Sequence, residues 1–175
     1  MGRRSQKMIN VIVDCEASGD AVGCGDLIQF AAITEEGKHF ISEKCSPICM
    51  RYGESNYASI GITRAEHVSY PGELSEEASK FYLWLKEIGA KPKFWSDNPA
   101  FDWQWISWLF TYHGLANPFG FSGSRIGDFF AGLNHDITRT VQWKKWRVTP
   151  HTHDPLDDVK GNLEAFLKIR EIYRV

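Results

Sequence analysis

The chain alternates short β-branched apolar runs with longer stretches whose apolar residues recur at helical spacing. "KMINVIVDCE" is the first such run, and it ends abruptly in acidic residues. A run of this kind predicts a buried strand, with Asp14 and Glu16 at its C-terminal end. "DLIQFAAITEEGKHFISEKC" supplies two more strand-like runs about a "TEEGK" turn, which predicts a β-hairpin. In the polar loop that follows, "TRAE" (Thr63 to Glu66) has the form of a capping box for a helix that Pro71 must keep short. "LSEEASKFYLWLKEIGAK" is amphipathic. Its Ala78, Phe81, Tyr82, Leu85 and Ile88 share a face, with Ser75 placed to cap its start and Gly89 to end it.

"PKFWSD" predicts a short strand, and a helix-to-strand crossover before it is typical of α/β domains. "FDWQWISWLFTYHG" predicts a second helix whose stripe is Phe101, Trp105, Trp108, Leu109 and Tyr112, an ordinary core face. Trp103 lies off that stripe, which makes it a candidate wall of a binding groove. "GSRIGDFFAGLNH" predicts a shorter helix. The last helix should start near Pro155 and run to Tyr173, burying Val159, Leu163, Phe166, Leu167 and Ile169. No internal repeat or linker divides the chain. Residues 1–7 are expected to form a mobile basic tail, and 8–175 one α/β domain in which helices flank a mixed sheet.

Bulk properties narrow the field. At 175 residues, 43% hydrophobic and 24% charged, the chain has the composition of a soluble globular domain. No apolar run approaches the roughly 20 residues needed to span a bilayer, so no membrane partner is expected. The start lacks the apolar segment and cleavage site of a secretory signal. A net charge of −2 exerts no bulk pull on nucleic acid, though a carboxylate-rich site can mask basic residues elsewhere. Cys15, Cys24, Cys45 and Cys49 are too few for a disulfide scaffold, and "CSPIC" is a single pair at zinc-like spacing. Reduced thiols in a cytoplasmic protein are the expectation.

Three acidic segments carry the chemistry, and each has an ordinary explanation alone. Asp14 and Glu16 are two apart on a strand, so both point to one face; a solvated strand end would explain them. Asp102 falls in the first turn of a helix, where the dipole favours a carboxylate. In "HTHDPLDDVKG", His153 precedes Asp158 by five positions at the mouth of the last helix, and Asp154 or Asp157 could be simple caps.

Their order along the chain is more telling than any one of them. D-x-E on the first strand, an aspartate opening a mid-chain helix and H-x4-D opening the last helix together resemble the DEDDh branch of the DnaQ-like 3′–5′ exonucleases. The segments that carry the resemblance are "VIVDCEASG", "LIQFAAI", "DNPAFDWQWI" and "HDPLDDV", and it extends from about Val11 to Ile169. Two positions depart from the family pattern: Ala17 stands where a threonine or serine is usual, and Asp97 where a histidine precedes Asn98. The layout and the aromatic "FDWQWI" block look most like the mycobacterial RNase AS type of exoribonuclease.

The resemblance implies a ribonuclease H-like fold and hydrolysis of phosphodiester bonds with two divalent cations, Mg2+ or Mn2+. It casts Asp14, Glu16, Asp102 and Asp158 as catalytic metal ligands, with Asp14 bridging, Glu16 and Asp158 completing one site and Asp102 supporting the other. His153 becomes the general base, since an imidazole titrating near 6.5 suits that task at neutral pH. His151 is the rival, but it misses the family spacing. Ala17, Ser18 and Asn98 fall where substrate is held. Just before the catalytic loop, "VQWKKWRV" interleaves tryptophans with basic residues, so Lys144, Lys145, Trp146 and Arg147 are candidates for phosphate and base contacts. An ordinary solvated face with tryptophans packed beneath is the alternative.

The expected partner is single-stranded nucleic acid, RNA rather than DNA, and the subgroup carries an expectation of a homodimer. An exodeoxyribonuclease or a catalytically silent nucleic-acid-binding domain are the rival readings. An amidohydrolase ("HTH") and an HD-type phosphohydrolase ("HD") expect, respectively, an early barrel strand and an all-helical chain, and neither matches this pattern.

Overall fold

The computed structural model describes residues 7–49 and 51–175, so most of the expected N-terminal tail lies outside the described residues. In chain order the elements are β1 (Met8–Ala17), β2 (Leu27–Thr34), β3 (His39–Ile41), α1 (Glu54–Ile60), α2 (Arg64–Val68), α3 (Leu74–Glu87), β4 (Lys91–Ser96), α4 (Pro99–Tyr112), β5 (Ser124–Arg125), α5 (Ile126–Leu133), a 3-10 turn (Gln142–Trp146) and α6 (Pro155–Tyr173). The strands form one mixed sheet in the order β3-β2-β1-β4-β5. β1 lies at its centre, antiparallel to β2 and parallel to β4.

The β2–β3 hairpin closes at the anticipated turn, where Thr34 N–H donates to the Lys38 carbonyl (2.8 Å) and Gly37 takes a φ of 87°. The capping box at Thr63 is present: Glu66 N–H donates to the threonine hydroxyl, and the Glu66 carboxylate accepts from Thr63 N–H. Ser75 is not a cap, because α3 begins one residue earlier with Glu73 at its N-cap position.

The strand periodicity of two divides the interior. Ile9, Val11, Val13, Cys15 and Ala17 of β1 pack with α3 and α4 around Phe81, Trp105, Leu109 and Phe110. Ile12, of opposite parity, packs with Trp95, Phe130, Trp143 and the Val159, Leu163, Phe166 and Ile169 stripe of α6. Asp14 and Glu16 share the parity of Ile12, so the sheet presents them toward α6. Two residues expected in the core lie outside it. Leu167 is 41% exposed because it follows Phe166 by a 100° step around the helix, and Tyr112 is 57% exposed in the last turn of α4. No helix among the described residues is long and apolar enough to cross a membrane. All four cysteines are free thiols.

Phe81 is the hub of the first core, with its ring 5.0 to 6.2 Å from those of Phe40, Phe30, Phe110, Trp84 and Phe119. Phe81→Ala should destabilise the fold by roughly 3–5 kcal/mol, read as a shift of the denaturant midpoint at unchanged slope.

Candidate active site

Each acidic residue is delivered by an element whose end is held. α6 starts where Asp154 accepts hydrogen bonds from the N–H groups of Leu156 (2.9 Å) and Asp157 (3.4 Å), with Pro155 preorganised in the first turn. That cap sets the first turn so that Asp158 is completely buried against the sheet. α4 opens at Asn98, also followed by proline, and places Asp102 inside. Its carboxylate Oδ1 accepts from the backbone N–H of Cys15 (3.1 Å), tying the start of α4 to the end of β1 between the two acidic strand residues.

The four carboxylates anticipated from the sequence meet. Asp14, Glu16 and Asp158 each offer an oxygen within 4.8 Å of the other two, and Asp14, Asp97 and Asp102 form a second trio within the same limit. Asp14 belongs to both trios. The second includes Asp97, a residue whose only mark in the sequence is that it departs from the family pattern.

So much buried negative charge is unfavourable without cations or protons. Burial, then the Asp102 and Glu16 carboxylates, hold the carboxyl of Asp14 well above its ordinary value. Burial followed by Asp97 does the same to Asp102. Glu16 is pushed up to about 8 by burial, then by Asp158 and Asp154. Basic groups reach parts of the cluster: Arg147 Nη2 and His151 Nδ1 each lie 2.7 Å from Asp158 Oδ1, and Lys144 Nζ 2.7 Å from Asp97 Oδ2. The second oxygen of Asp158 is buried with no hydrogen-bond partner among the described residues. Hard oxygen donors in two trios about a shared aspartate suit divalent cations of the magnesium or manganese type.

Asp14, Glu16, Asp97 and Asp102 line a cleft of about 260 Å³, with Asp158 buried behind them. Ala17 and Asn98 line it too, as do both His151 and His153, whose rings are 4.4 Å apart. His153 Nδ1 is 3.7 Å from Glu16 Oε1, and its backbone sits in the left-handed region (φ 59°), strained for a non-glycine residue. Asn56, Ser59 and Ile60 of α1 form a wall with no counterpart among the expected site residues, as does Phe101. Nothing in the local sequence of α1 marks it for this place.

Other residues expected at substrate are committed within the protein. Ser18 is buried, its hydroxyl accepting from Asp26 N–H (2.8 Å). Trp103 packs edge-on against Phe94 (5.1 Å) as part of the α3–α4 core rather than the cleft. Arg147 is turned inward, with its side chain 7% exposed on Asp158. Trp146 packs edge-on against Phe130 (5.4 Å) while Lys145 lies over its ring (4.9 Å), and Lys144 points to Asp97.

The charge cluster sets the pH response of the metal-free protein. In the unfolded chain Glu16 releases its proton near 4.5, but in the fold it keeps it to about 8. Between those values the folded state binds more protons than the unfolded, so metal-free stability should fall as pH rises from about 4.5 to about 8. Thermal melts in chelator across that range check the sign. At pH 8, Asp14→Asn should raise the metal-free melting temperature by roughly 4–8 °C, equivalent to about 2 kcal/mol in a domain of this size.

No family model matches the chain, and no curated protein matches it in sequence. Solved structures do. The zinc-bound E. coli exonuclease I complex with single-stranded DNA aligns with a TM-score of 0.72 at 17% identity, covering 95% of this chain and 41% of that one. The nuclease domain of 3′hExo, a DEDDh family member bound to rAMP, gives 0.71 at 14% identity, covering 98% and 94%. Cell-death related nuclease 4 gives 0.70 at 16%, covering 94% and 64%. This chain therefore spans about two fifths of the exonuclease I chains it matches. At such identities the likeness is one of fold, a ribonuclease H-like mixed sheet flanked by helices.

Proposed function

We propose that the protein is a metal-dependent 3′–5′ exonuclease of the DEDDh type that removes nucleotides from the 3′ end of single-stranded RNA. The observation that carries this is the pair of carboxylate trios sharing Asp14 in a cleft edged by two histidines. Asp14, Glu16 and Asp158 would hold one divalent cation and Asp14 with Asp102 the other, which together would offset charge on the attacking and leaving oxygens of a phosphodiester.

His153 serves as general base. With Nδ1 directed to Glu16 Oε1, Nε2 is the nitrogen free to take a proton from the attacking water. The strained backbone at His153 supports this role, since such conformations persist where the surrounding structure enforces them. His151, engaged through Nδ1 with Asp158, helps to hold that carboxylate. Ala17 and Asn98 in the cleft face the terminal nucleotide, while Phe101 offers an aromatic surface for a base. Lys145 lies on the same basic turn as Lys144 and can reach the backbone of a longer strand. The RNA preference rests on the likeness to the RNase AS type; of the similar structures, 3′hExo holds rAMP and exonuclease I holds single-stranded DNA. Four free thiols fit a reducing compartment such as the cytoplasm.

Matched RNA and DNA oligomers, labelled at either end, should be incubated with Mg2+, Mn2+ or chelator. Stepwise loss from the 3′ end of RNA, requiring metal and abolished by Asp14→Asn, is the expected result. DNA shortened faster than RNA would overturn the sugar preference, and binding with no shortening under any metal would leave a silent binding domain. His153→Ala should lower the single-turnover rate by roughly 10²–10⁴-fold and more than His151→Ala does. The reverse order would move the base to His151.

A further inference from the structure

Asp97 immediately follows β4, and its position is held from two sides. Arg125 Nε donates to its backbone carbonyl (3.1 Å), and Lys144 Nζ to its Oδ2 (2.7 Å). The next residue, Asn98, is the N-cap of α4, so the segment between strand and helix has little freedom to turn the side chain elsewhere. The Asp97 side chain is 21% exposed and lines the cleft. It is also one of the three carboxylates that converge within 4.8 Å around Asp14 and Asp102.

The two trios are otherwise unequal. Glu16 and Asp158 join Asp14 in one, but without Asp97 the other would hold only Asp14 and Asp102, and Asp102 already spends one oxygen on the Cys15 N–H. Two carboxylates, one of them half engaged, hold a magnesium-type ion only with waters and a substrate phosphate filling its other positions, whereas a third anionic oxygen tightens the site before substrate arrives. Lys144 bonds Oδ2 of Asp97, so the carboxylate keeps its other oxygen to offer to a cation.

Resting on the nuclease reading above, we propose that Asp97 is a direct ligand of the second divalent cation, completing a three-carboxylate site with Asp14 and Asp102. Lys144 serves as its positioning partner: it neutralises Asp97 and keeps the carboxylate turned toward the cleft. A salt bridge that merely pins the 3-10 turn to the sheet would leave cation binding indifferent to Asp97.

The test is a Mn2+ titration of the full chain without substrate, followed by calorimetry and by the electron paramagnetic resonance signal of free Mn2+. Wild type should bind two ions. Asp97→Asn should weaken the second by tenfold or more and leave the first unchanged. Lys144→Met, which keeps the carboxylate, should lose less than threefold. Circular dichroism in chelator verifies each fold, with Asp97→Ser as the substitute if the asparagine variant is unfolded. Two ions bound by the Asp97 variant as tightly as by wild type would overturn the ligand role. Equal losses in the Asp97 and Lys144 variants would also overturn it, assigning the effect to the ion pair. A wild-type chain that binds no second ion would instead remove the two-cation reading itself, and this inference with it.

Discussion

The mutual repulsion of Asp14 and the four carboxylates gathered around it is the constraint on which the rest of the site depends. Carboxylates left to themselves would separate or move into water, and here they do neither. Three are held by a bond or a helix start that the repulsion cannot easily undo: Asp102 by the Cys15 amide, Asp158 by a capped first turn and the Arg147 guanidinium, Asp97 by Lys144. As a result Asp14, Glu16 and Asp102 keep protons past the ordinary carboxylate range, with the Asp14 carboxyl the most crowded. Such a cluster costs stability by itself and becomes favourable when divalent charge enters it.

The scaffold explains how that cost is borne. β1 is paired along both edges and packed on both faces, and its acidic pair stands on the α6 side of a sheet whose opposite side is sealed by the aromatic core about Phe81. Gly161 of α6 permits a further close approach: a Cβ there would lie 2.5 Å from the Thr149 carbonyl and 2.6 Å from Arg147 Nε. The bare Cα lets the loop before α6 and its buried arginine pack onto the helix beside Asp158. Glu164, one turn farther along, accepts from the amides of Val148 and Thr149 and secures the same loop. The histidines at the cleft are thus carried on a segment anchored at both ends, not on a free strand of chain.

This anchoring also reassigns the basic and aromatic residues near the site. Arg147 works from beneath, as the buried counter-charge of Asp158, and Trp146 and Trp143 pack inward on α5 and α6. The cleft instead draws part of its lining from α1, through Asn56, Ser59 and Ile60.

The chain's local pattern by itself determined β1 to β4, the hairpin turn, the Thr63 capping box, the start of α6 at Pro155 and the shared face of Asp14 and Glu16, but it assigned the two residues of β5 to the helix that follows them. All of these are set by backbone geometry within a few residues: a period of two, a period of 3.6, a cap or a proline. The order D-x-E, Asp102, H-x4-D was legible for the same reason, since each piece sits at the end of a recognisable element. Tertiary structure alone decided the rest. Asp97 joins Asp14 and Asp102 only because β4 pairs parallel with β1 and α4 folds back, and α1 becomes a wall only once it packs over the end of β1. Ser18, Trp103 and Arg147 carry side chains that suit substrate or core equally well, and which of the two they serve is settled by distances across tens of residues that no local periodicity encodes.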